Sequence, residues 1–167
     1  MDKRGLTLVE LVVALGIASV LLAVLTQAFW AMERQQAQVL ALHELAENLH
    51  FALDEIDADL KRAVWVITAE EGQLALRNES GQRIRYVLKR DSMAERHPYE
   101  LTGLVLYRST DGGQNQPVAN FIQQLSLEAV REAELITAVT VSLSGEAAGE
   151  TITVTRTVPV GGLAWRR

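Results

Sequence analysis

Glu10 is the side chain whose type and place most plainly invite chemistry. It lies just inside an apolar run, and from Leu11 to Met32 no residue is charged. A lone acid in such a stretch is costly in a bilayer, about 2.5–3.5 kcal/mol at mid-depth and less near the surface. It becomes useful when it meets a cation. Two basic residues, Lys3 and Arg4, stand before it, followed by Gly5. Farther along, His43, Glu47 and His50 share one helical face by spacing and are of metal-ligating type. No fourth ligand accompanies them, and a solvated helix face is the simpler account. His97 beside Pro98 has no evident partner. Asp111-Gly112-Gly113-Gln114-Asn115 offers oxygen donors that could hold calcium, but it lacks the closing Glu of a calcium loop and reads as a turn. No nucleophile elbow, phosphate loop or dinucleotide fingerprint occurs. We expect no active site, no metal and no cofactor.

The elements that must position these residues follow from periodicity. The uncharged stretch is about 22 residues long, close to the ~20 needed to cross the hydrocarbon core. Beyond it, Leu42, Leu45, Leu49, Leu53, Ile56, Leu60 and Ala63 recur at spacings of three and four, one stripe of a helix. Glu44, Glu47, Asp54, Glu55, Asp57 and Lys61 fall largely off it. No Pro or Gly interrupts the chain between Gly16 and Gly72. The spacing therefore predicts one helix over residues 6–64.

From Val64 the pattern turns to strands. Val64-Trp65-Val66-Ile67-Thr68 is β-branched and aromatic, and Gln73–Arg77 and Ile84–Leu88 alternate around the turn Asn78-Glu79-Ser80-Gly81. Residues 91–100 read as a polar connection and 101–107 as a strand. Residues 116–120 fit either a helical turn or an extended lead into 121–130. Residues 135–143 and 151–160 read as a last hairpin around a turn at 145–149, and 163–167 as a loose tail.

Lys3-Arg4-Gly5 followed by Leu6-Thr7-Leu8-Val9-Glu10 resembles the class III leader of type IV pilins and pseudopilins. The resemblance implies that a prepilin peptidase cuts between Gly5 and Leu6, that Leu6 becomes the N-methylated terminus, and that Glu10 is the assembly acid. The new amine at Leu6 would be cationic, and a carboxylate four residues on suits it as a counter-charge, within one subunit or across two. Tyr86-Val87-Leu88, Leu106-Tyr107-Arg108-Ser109, Gln116–Ile122 and the final hairpin are similar to PilW-type minor pilins and J-class minor pseudopilins. That likeness implies an α+β fold, a long N-terminal helix packed on a C-terminal antiparallel sheet. Its segments are a leader (1–5), a transmembrane and filament-core part (6–32), an amphipathic continuation (33–64), a β-sheet domain (65–162) and a tail (163–167).

The implied role is that of a non-enzymatic minor subunit helping to initiate a type IV pilus or a type II secretion pseudopilus. Its partners would be the prepilin peptidase, other minor pilins or pseudopilins, a major pilin and the inner membrane, with the C-terminal domain outside the cytoplasm. The contrasting reading is a single-pass, membrane-anchored β-rich binding protein unrelated to filaments. A cleaved secretory signal fits less well, because the apolar run is too long and ends in Phe29-Trp30 rather than small residues.

Composition narrows the classes. The chain has 167 residues and a formal net charge of −5. Its isoelectric point near 5.2 argues against a broad nucleic-acid-binding face. With no Cys, it has neither disulfides nor thiolate sites nor thiol catalysis, and it lacks the disulfide-closed loop of many major pilins. That favours a minor component.

Overall fold

The computed structural model describes residues 7–90, 103–111, 113–132 and 135–161. Among the described residues one helix, α1 (Leu8–Lys61), is followed by eight antiparallel strands. These are β1 (Ala63–Glu70), β2 (Gln73–Asn78), β3 (Arg83–Lys89), β4 (Leu104–Thr110), β5 (Gln116–Ile122), β6 (Gln124–Glu132), β7 (Leu135–Ala147) and β8 (Glu150–Pro159). The chain divides into two compact units, residues 1–39 and 40–167.

In the first unit every described residue up to Gln36 is exposed. The segment is long and apolar enough to cross a membrane. Its few hydroxyls are neutralised within the helix: Ser19 Oγ donates to the Leu15 carbonyl at 2.7 Å and Thr26 Oγ1 to the Leu22 carbonyl at 2.8 Å. In hydrocarbon an unsatisfied hydroxyl would be expensive, so this bonding suits the segment to lipid.

The second unit has a continuous core. Leu45, Leu49, Ala52, Leu53, Ile56 and Leu60 line one face of α1 and meet residues from both sheets, among them Leu74, Leu76 and Ile84 on one and Leu125, Val141 and Leu143 on the other. The strands form two meanders, a five-stranded sheet β1-β2-β3-β4-β5 and a three-stranded sheet β6-β7-β8. The fold is the expected α+β, with two sheets where one was expected.

Three boundaries differ from the sequence reading. The helix ends at Lys61, and Ala63 already pairs with Asn78 in β1. The β-branched and aromatic run that follows favours the pleated strand over further helix. Residues 116–120 belong to β5, at the edge of the larger sheet, and β6 opens the other sheet. The chain changes sheet at Gln123, between Ile122 and Gln124, and two residues earlier Phe121 has φ 62° beside a shift in the β4–β5 register. That left-handed backbone is unusual for a bulky residue. It packs so closely on Gly103 that a Cβ there would lie 2.6 Å from the Phe121 carbonyl carbon.

The last turn is tighter than expected. Gly145 is inside β7, paired with Ile152, and only Ala148 (φ 53°) and Gly149 (φ 79°) form the turn. Two consecutive positive φ values match the twist of a two-residue hairpin. Gly145 is small for a packing reason instead, since a Cβ would lie 2.6 Å from Leu45 Cδ1 and from the Phe121 carbonyl oxygen. Residues 91–102, with His97 and the start of the strand expected at 101–107, and the tail 163–167 lie outside the described residues.

Candidate assembly site at the N-terminus

Gly5 and Leu6 lie outside the described residues, so the first positioned member of the site is Thr7. Thr7 and Glu10 cap α1 reciprocally. The Thr7 backbone N–H and its hydroxyl both donate to Glu10 Oε2, each at 2.9 Å, and Thr7 Oγ1 accepts from the Glu10 N–H at 3.3 Å. This is a capping box, Thr-x-x-Glu at Ncap and N3, and it satisfies donors that a helix start leaves open. A carboxylate in the first turn is also favoured by the helix dipole. Glu10 is nonetheless exposed. That exposure leaves its carboxylate open to a cation from outside the described residues.

The candidate metal ligands are not drawn together. His43 Nε2 approaches Glu47 Oε1 at 3.3 Å on the exposed side of α1, and His50 is exposed. Among the described residues no group of three such side chains is placed to hold a metal ion. Asp111 is engaged locally: its Oδ2 accepts from the Arg83 backbone N–H at 2.9 Å, and its own N–H donates to the Arg83 carbonyl at 3.1 Å. It closes the β4–β5 turn onto β3.

A second carboxylate, not singled out by its sequence position, is the buried one. Asp59 is 5% exposed on the core face of α1. Arg108 on β4 donates to it twice, Nε to Oδ2 at 2.7 Å and Nη2 to Oδ1 at 3.3 Å. The Tyr86 hydroxyl on β3 donates to Oδ2 at 2.6 Å. Burial, then the bond and charge of Asp59, push the Tyr86 phenol well above its usual range. The hydrogen bond to Asp59 holds the Arg108 guanidinium still more firmly protonated. The cluster ties helix to sheet and offers no exposed reactive group.

The geometry thus leaves the N-terminal turn as the functional candidate. Residues 1–26 match the family model described as the prokaryotic N-terminal methylation motif. This leader supports a likeness to the type IV pilin and pseudopilin superfamily. Comparison with curated proteins and with solved structures gives no match. The leader implies processing by a prepilin peptidase and pilin-type partners in general, and with the apolar helix it fits anchoring in the inner membrane before entry into a filament.

Proposed function

We propose that this pilin-like chain is a non-enzymatic minor subunit of a type IV pilus or type II secretion pseudopilus. The peptidase cuts between Gly5 and Leu6, Leu6 is methylated, and Glu10 answers the new amine during assembly. Lys3 and Arg4 keep the leader in the cytoplasm, and the β-rich part stands outside it. The leader match carries the reading. Supporting it is the exposed apolar surface of α1, which includes Leu15, Leu21, Leu22 and Phe29, each more than half exposed. A patch of that kind needs lipid or other subunits to cover it. The lack of Cys, and so of a disulfide-closed loop, supports a minor role.

The test is mass spectrometry paired with filament recovery. In cells carrying the peptidase, the wild type begins at methyl-Leu6, and Gly5→Val retains Met1, because a β-carbon obstructs close approach to the backbone. Glu10→Leu is inserted and cleaved but depleted from sheared filaments relative to its membrane pool. Thr7→Val removes the hydroxyl cap yet keeps the acid, and it assembles. An uncleaved wild type overturns the assignment. Normal assembly of Glu10→Leu, or equal depletion of both variants, reduces Glu10 to a helix cap.

A further inference from the structure

We infer that the outer face of the five-stranded sheet carries an oxyanion-binding cleft that takes a phosphate group. The cleft is about 270 Å³, lined by Arg83 and Arg85 of β3, Ser109 and Thr110 of β4, and Asp111, Gly113 and Asn115 of the following turn. Arg83 and Arg85 are two apart on one strand, so they share a face, opposite to the buried Ile84 and Tyr86. Ser109 stands directly across from Arg85, which brings a hydroxyl beside the guanidinium face.

Two features of the fold favour an anion here. Arg77 of β2 is directly opposite Arg83, and like charges so paired repel. Among the described residues no carboxylate forms an ion pair with Arg77, Arg83 or Arg85. Arg83 Nε, moreover, is buried without a hydrogen-bond partner. A buried donor left unsatisfied is destabilising, and an oxyanion bound beside Arg83 would offset its excess positive charge and offer that donor an acceptor.

The site is preformed. Asp111 bonds the β3 backbone in both directions, and the Gly113 N–H donates to the Thr110 carbonyl at 2.9 Å, so the turn is held against β3. Preorganisation of this kind lowers the cost of binding. Planar guanidinium groups match the geometry of phosphate oxygens. The one carboxylate in the lining, Asp111, leaves the cleft cationic beside two arginines and can accept from a phosphate hydroxyl. The volume falls below the ~300–1,000 Å³ of drug-sized pockets, which selects a small ion or a headgroup over an extended ligand.

Thermal unfolding of the full chain in neutral detergent, at ionic strength fixed with chloride, tests this independently of the filament reading. Inorganic phosphate raises the midpoint saturably in the wild type, as a ligand of the native state must. Arg83→Gln and Arg85→Gln each weaken that response about tenfold, the loss of one charge-assisted contact. Arg131→Gln, outside the cleft, keeps it. Without phosphate, Arg83→Gln is at least as stable as the wild type, since the substitution removes repulsion and the orphaned Nε. Glycerophosphoglycerol, the soluble headgroup of phosphatidylglycerol, separates the sources: a response to it assigns the cleft to lipid, and a response to inorganic phosphate alone assigns it to the free ion. No phosphate response, or an undiminished response in Arg83→Gln/Arg85→Gln, overturns the site.

Discussion

The two halves of α1 obey different rules, and its two end carboxylates show how. All eight buried residues of the helix lie at or beyond Ala41. Glu10, in the first turn, is exposed and, among the described residues, bonded only to Thr7. Asp59, in the last, is enclosed by Tyr86 and Arg108 from two strands. A residue whose surroundings come from its own chain works for the fold. An apolar surface that its own unit leaves bare works for whatever covers it, here lipid or other subunits.

The sharpest way to break this comparison is to cut the same side chain in each half. Leu49 and Leu53 are at most 2% exposed, so Leu49→Ala or Leu53→Ala lowers stability by about 2–5 kcal/mol. Leu21 is 58% exposed, and Leu21→Ala leaves the urea midpoint of the full chain in detergent unchanged. Equal shifts at Leu21 and Leu49 would mean that the halves are not energetically distinct.

The carboxylates give the next effect. Asp59→Ala strands Arg108 in a partly buried place and costs about 3 kcal/mol, the lower part of the range for breaking a buried pair, because the arginine reaches solvent. Glu10→Gln leaves the same midpoint where it was. Thermal melts of both variants decide it. A large shift from Glu10→Gln would show that the N-terminal cap supports the globular unit.

Why one carboxylate was legible in the sequence and the other was not is itself physical. Glu10 stands alone in an apolar run, so its oddity is local. The Leu45-to-Leu60 stripe and the alternating strands are local patterns too, and they appear as helix and sheet. Asp59 falls three residues after Ile56, on the stripe, but its type suggests a solvated face. Only partners 27 and 49 residues away reverse that. The same holds for Gly145, which looks like a turn residue until the helix is seen to press Leu45 against it. The split into two sheets was hidden because the strands on either side are separated by Gln123 alone, with no Gly or Pro to mark the break. The capping box at Thr7 is a local spacing as well, masked by the apolar run in which it sits.

The smallest effect belongs to Tyr86, and pH exposes it. Tyr86→Phe removes the 2.6 Å bond to Asp59 while leaving the Arg108 pair, so near neutrality it costs about 1.5 kcal/mol. The phenol is held protonated in the native state, well above its ordinary value of 10. The unfolded chain releases that proton near pH 10 and the native chain does not, so above this point the unfolded state binds fewer protons. Stability from Tyr86 is therefore whole below pH 10 and declines as pH rises toward the native value. Urea titrations from about pH 8 to about pH 11 should show the gap between wild type and Tyr86→Phe narrowing above pH 10 and nearly closed at the top. A gap constant with pH would place the hydroxyl in contact with solvent rather than in the Asp59 cluster, and the buried half of the helix would lose one of its ties to β3.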